Sequence, residues 1–109
     1  MQSLELDLVI SKDVFEHIEE DDLPGVFRGL SSVVPALAYV VPLGDASGGF
    51  VVPEYELDVT HRVRRPRSRW EALAVGHGFK QVSGRFLMPG IKDNWAKYPK
   101  GNGFFFATR

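Results

Sequence analysis

The stretch LELDLVISKDVFEHI, from Leu4 to Ile18, sets a strand directly before a helix. Leu6, Leu8, Val9 and Ile10 make a nearly unbroken apolar run, the pattern of a strand buried on both faces of a parallel sheet. Lys12 and Asp13 interrupt it, and Val14, Phe15 and Ile18 then recur at helical spacing. A strand is expected over Leu6–Ser11, with a helix opening two or three residues later. Ligands of open α/β sheets bind in the crevice beyond the carboxyl ends of the strands. Ser11, Lys12, Asp13, Glu16 and His17 stand at such an end, so function is to be sought there.

Beyond this unit, Glu19 to Asp22 form an acidic block and Pro24-Gly25 an interruption. Val26, Phe27, Leu30, Val33 and Val34 then resume a helical stripe, as one broken helix or two short ones. ALAYVVPL, from Ala36 to Leu43, reads as a second buried strand, and the right-handed crossover rule makes it parallel to the first. From Gly44 to Thr60 no period is sustained. A long loop of this kind serves binding more often than packing, and it leaves the same sheet edge as the Asp13 turn. Val51, Val52, Tyr55 and Leu57 are its candidates for a short hairpin. Ser68 with Glu71 matches a capping box, predicting a helix from about Arg69 to His77 that Gly78 stops. Gln81–Leu87 and Gly103–Thr108 are the last two strands. The segment between them, with Trp95 and Tyr98, has no helical pattern, so they are expected to pair antiparallel.

The 109 residues suit a single α/β domain. Apolar residues are 44% and charged residues 25%, a globular composition. A net charge of -1 exerts no global pull on nucleic acid or membrane, so any basic patch is local. The absence of cysteine excludes disulfides and thiolate zinc sites and suits a reducing compartment. The start MQSLELD is acidic and no apolar run approaches a membrane span, so a cytoplasmic location without membrane association is expected.

Asp13 and Glu16 fit an N-cap and its N3 partner, a purely structural role at a helix start. His17 is not explained by that cap and is available as a ligand or base. Arg62, Arg64, Arg65, Arg67 and Arg69 form a basic run beside His61. Such a run is usually a solvated loop; its functional version holds phosphate, because guanidinium groups fork onto phosphate oxygens. His77 is most simply a helix C-terminal residue favoured by the dipole.

Three stretches carry a resemblance. DLVISKDVFEHI resembles the fourth strand and following helix of class I S-adenosylmethionine-dependent methyltransferases, DVTHRVRRPRSRWEALAVGHGF resembles their D-x-T-H segment and the helix closing on G-F, and GNGFFFATR resembles their last strand. The order is that of the family's C-terminal half. The implied fold is a partial Rossmann-like sheet, two parallel strands plus a C-terminal antiparallel pair in the order 1-2-4-3, with helices packed on it. No G-x-G-x-G fingerprint follows an apolar strand, so the cofactor's glycine-rich loop has no counterpart among these residues.

The resemblance therefore implies a fragment, a split subunit or a degenerate remnant of a methyltransferase, inactive alone, the first two of which would supply acceptor recognition and part of the cofactor wall through Ser11, Lys12 and Asp13. S-adenosylmethionine would bind only with the missing half. The D-x-x-E-H pattern is similar to the E-x-x-E-H pattern by which some methyltransferases hold Mg2+, implying a metal set of Asp13, Glu16, His17 and His61. Asp13, His17 and His61 are the implied catalytic residues, and Tyr55, Arg62, Arg64 and Arg65 the contacts to a small-molecule, sugar or RNA acceptor. A partner chain bearing the N-terminal half, or a second copy, is expected along the Leu6–Ser11 edge. The alternative function is a non-enzymatic module holding phosphate or RNA with the Arg62–Arg69 run.

Overall fold

The computed structural model describes residues 6–86, 88 and 97–109, and its centre is a four-stranded sheet. β1 (Val9–Lys12) pairs parallel with β2 (Ala36–Pro42), β2 pairs antiparallel with β4 (Asn102–Thr108), and β4 pairs antiparallel with β3 (Gln81–Arg85). The spatial order β1-β2-β4-β3 is the one the family resemblance implies. Leu87 and Trp95 lie outside the described residues.

Helices cover one face of this sheet. Leu37, Tyr39 and Val41 of β2 are fully buried beneath α1 (Leu23–Val33) and α2 (Arg67–Val75), which contribute Leu23, Phe27, Trp70, Leu73 and Ala74. Tyr39 is the hub of this layer. Its ring stacks on Phe105 of β4 at 4.8 Å, meets Phe27 edge-on at 5.3 Å and lies 5.7 Å from Phe15. Its hydroxyl donates to the Trp70 carbonyl at 3.0 Å, and burial pushes the phenol well above its ordinary pKa. The alternate residues face the other way: Ile10, Ala38 and Phe106 are partly or largely exposed there.

β1 departs from expectation. It spans four residues, and Leu6, Leu8 and Ile10 are 50%, 43% and 71% exposed, so it is not buried on both faces. Among the described residues only β2 lies beside it, and only one sheet face is covered. The helix expected after it is also replaced. Asp13 still donates its N–H to the Val40 carbonyl at 2.9 Å, then turns left-handed with φ of 56°. Because the pairing runs on to Asp13, the chain must reverse within one residue, which aspartate tolerates better than most. Two 3-10 turns follow, Phe15–His17 and Glu20–Asp22, before α1 begins. The first has Val14 at its N-cap with no side-chain cap, so the Asp13 and Glu16 capping box does not form.

α1 is one helix, with Pro24 in the first turn, where a missing N–H is harmless. α2 begins earlier than predicted. Pro66 is its N-cap and Glu71, freed from any capping role with Ser68, binds Arg67 at 2.9 Å. In the loop after β2 the hairpin is reduced to a single Gly44 to Phe50 bridge followed by a 3-10 turn, Pro53–Leu57. A side chain at Gly44 would collide with the Arg64 carbonyl, so glycine lets the 62–66 segment cross close to the end of β2.

Removing only the hydroxyl, Tyr39→Phe, is expected to lower stability by about 1 kcal/mol. Tyr39→Ala, which empties the middle of the aromatic layer, should lower it by about 3–5 kcal/mol in urea unfolding. An alanine variant as stable as the phenylalanine one would show that Tyr39 is not the hub.

Candidate functional site

The carboxyl ends of β1 and β2 meet the turn at 13–17 and a strap formed by residues 53–61. Between them lies a pocket of about 370 Å³. Asp13, Glu16 and His17 line it from the turn, Pro42 from the end of β2, and Glu54, Tyr55, Asp58 and His61 from the strap. Phe15 anchors the turn: its ring is 4% exposed and packs on Phe27 at 4.9 Å, which leaves its neighbours Glu16 and His17 facing the pocket.

Glu16, His17 and His61 each offer a ligand atom within 4.8 Å of the others. The strap fixes both imidazoles. His61 Nδ1 lies 2.7 Å from the Tyr55 carbonyl, which can only accept, so the proton sits on Nδ1 and Nε2 carries a lone pair. His17 is fixed by Thr60, whose hydroxyl donates to Asp58 Oδ1 at 2.6 Å. That hydroxyl oxygen must therefore accept from His17 Nδ1 at 2.8 Å, with the Thr60 carbonyl at 3.1 Å, and His17 Nε2 is again the lone pair. His17 Nε2 lies 3.8 Å from Glu16 Oε2, and His61 Nε2 lies 3.5 Å from Asp58 Oδ2. With neutral rings, electron-rich atoms face one another at both places, an arrangement that a shared cation or an added proton stabilises. Glu16 is 1% exposed, so its carboxylate meets the two imidazoles away from bulk water.

The strap is itself tied down. Glu56 accepts from Arg64 and from the Phe50 N–H at 2.8 Å, and these bonds, Arg64 foremost, hold its carboxyl below the usual range. Asp58 is lowered chiefly by the Thr60 hydroxyl, then by the Thr60 N–H. At the root of the loop, Asp45 is lowered by the Ser47 hydroxyl and N–H.

Of the expected site residues, the structure gathers Asp13, Glu16, His17, Tyr55 and His61 at one pocket. It does not bring the others there. Ser11 is buried on the helix-covered face, in register with Tyr39, and its hydroxyl has no partner among the described residues. Lys12 is exposed and does not line the pocket. The arginines lie outside it, each against an acid: Arg62 on Glu19 at 3.5 Å, Arg64 on Glu56 at 3.0 Å, and Arg65 on Glu20. Sequence reasoning missed Glu54, Asp58, Thr60 and Pro42. A signal existed for two of them, since Asp58 stands two residues before Thr60, the spacing at which an aspartate bonds the backbone ahead of it.

The Asp58 bonds carry a pH dependence. A carboxyl with a depressed folded pKa adds stability that is complete above its ordinary value, 3.8 here, and is lost as pH falls through the folded value. The strap should therefore hold at neutral pH and loosen only in acid. By carbon-13 NMR, Thr60→Val should raise the Asp58 midpoint toward 3.8, because it removes the leading cause of the shift. An unchanged midpoint would show that the Thr60 hydroxyl is not that cause.

No family profile and no curated protein matches the sequence. Solved structures do match it. A protein described as an O-methyltransferase, from Nostoc punctiforme, aligns over 96% of this chain at 10% identity and a TM-score of 0.68. The small RNA methyltransferase HEN1 aligns over 96% at 16% identity and 0.68, and a SAM dependent methyltransferase from Archaeoglobus fulgidus over 95% at 14% identity and 0.66. The alignments span 32%, 14% and 59% of those three chains, so this chain is well short of their length. At such identities the likeness speaks for architecture: the chain has a methyltransferase-like α/β fold.

Proposed function

We propose that this chain forms the acceptor side of an S-adenosylmethionine-dependent methyltransferase, with Glu16, His17 and His61 as ligands of a divalent cation. The observation that carries the reading is the convergence of one carboxylate and two imidazoles whose Nδ1 atoms are already committed to the strap. Fixing the outer nitrogen of a ligating histidine is what a metal site requires. The donor set refines the choice of ion. Two imidazoles suit zinc, iron or cobalt better than Mg2+, which prefers oxygen and water.

A bound divalent ion would lower the pKa of a coordinated acceptor hydroxyl. Asp13, on its left-handed turn at the pocket wall, would take the acceptor hydroxyl's proton as the methyl group passes from the sulfonium sulfur to the acceptor oxygen and S-adenosylhomocysteine leaves. Pro42 and Tyr55 supply the apolar wall that orients the acceptor. With four carboxylates and no arginine among its lining residues, the pocket favours a neutral hydroxyl over a phosphorylated group. The glycine-rich cofactor loop would come from outside these 109 residues. The ion pairs that neutralise Arg62, Arg64, Arg65 and Arg67 weigh against the alternative, a phosphate- or RNA-holding module.

The site is tested by calorimetry with ZnCl2, CoCl2 and MgCl2. One transition-metal ion per chain should bind more tightly than Mg2+, and His17→Ala or His61→Ala should weaken it by at least about tenfold. Equal binding by both variants would end the metal reading. The proposed docking of further strands on β1 has its own check. Ile10→Lys puts a charge on the open face of that edge strand, where any docking element that covers the face would have to bury it, and should reduce association in sedimentation. A parent chain that is monomeric at high concentration, alone and with candidate partners, would count against the docking.

A further inference from the structure

Tyr55 touches the site in two unrelated ways. Its carbonyl accepts the Nδ1 proton of His61 at 2.7 Å, while its hydroxyl donates to Asn102 Oδ1 at 3.0 Å. Asn102 is 1% exposed and opens β4, paired in register with Pro42 at the end of β2. The hydroxyl bond therefore runs from the strap to the most extensively paired part of the sheet. The ring adds a steric constraint, standing edge-on to both His61 at 5.8 Å and Phe50 at 6.0 Å.

Resting on the metal reading above, we propose that Tyr55 is a positioning residue: anchored on Asn102, it holds the strap at the height at which its carbonyl fixes the His61 tautomer and presents Nε2 to Glu16 and His17. A strap carrying a ligand needs such an anchor. Pro53–Leu57 is a single 3-10 turn whose flanks are held by the Glu56 bonds and by the Arg62 and Val63 bonds to the Glu16 carbonyl, and the Tyr55 hydroxyl adds the bond that ties the middle of the strap to the sheet. Outer partners of ligating histidines typically change metal affinity by about 10–100-fold when removed. The bond that sets Tyr55 acts one step further out, through a tautomer and a distance.

The test uses the full chain with Tyr55→Phe, Asn102→Ala and the double variant. Nitrogen-15 shifts of the imidazoles report the tautomer, and CoCl2 titration followed by visible absorption reports affinity. In the parent, His61 should be protonated on Nδ1. Tyr55→Phe should populate the Nε2–H form and weaken cobalt binding by about tenfold, whereas His17, held by Thr60, keeps its tautomer. The double variant should bind cobalt no worse than Asn102→Ala, because both changes remove the same bond. A fall in thermal midpoint with tautomer and affinity unchanged would overturn the proposal and leave Tyr55 a packing residue. If the parent binds no cobalt, the metal reading fails, and the tautomer alone then decides for or against Tyr55.

Discussion

The seven residue pairs that join β2 to β4 are the constraint on which the molecule depends. This ladder places Tyr39 over Phe105, which gives both helices a common aromatic floor. It also sets Pro42 opposite Asn102, fixing the rim from which the strap is hung. Core and pocket thus share one rigid reference. A shift of register by one residue would turn Tyr39 to the open face and carry Asn102 away from Tyr55 at once.

Charge is sorted across this frame. The pocket collects Asp13, Glu16, Glu54 and Asp58, while the arginines that follow His61 in sequence are bound by acids elsewhere on the surface. The acidic block before α1 finds its purpose here, since Glu19 and Glu20 receive Arg62 and Arg65. Backbone bonds from Arg62 and Val63 to the Glu16 carbonyl lie beneath those pairs. The segment after His61 is therefore stitched to the turn carrying two of the three candidate ligands. Exposed ion pairs contribute little stability individually, and their role is better understood as register than as strength.

The strands were legible in the sequence because apolar runs are strong signals at the scale of whole elements, and the crossover rule made the first two parallel, whereas the order of the sheet came from the family resemblance. Ala36–Pro42 and Asn102–Thr108 lie within a residue or so of where their composition put them. Local geometry was less legible. Asp13 and Ser68 both have N-cap chemistry, yet neither caps, because β-pairing reaches Asp13 and Pro66 starts α2 first. The proximity of His61 to Glu16 and His17 was expected from a family likeness alone; nothing in periodicity joins residues so distant in sequence. The anchoring of Tyr55 on Asn102 had no local signal, since the two are distant in sequence and their contact depends on strand register.

The left-handed backbone at Asp13 has a consequence for how this site can change. Glycine would adopt φ of 56° at lower conformational cost, so the backbone favours its substitution, whereas the role proposed for Asp13 at the pocket wall needs a carboxylate that glycine lacks. Stability and chemistry pull this one position in opposite directions. An Asp13→Gly variant selected only for robustness would keep the fold and lose the acid, so any screen for hardier versions of this protein will drift toward a silent pocket unless it also scores the site.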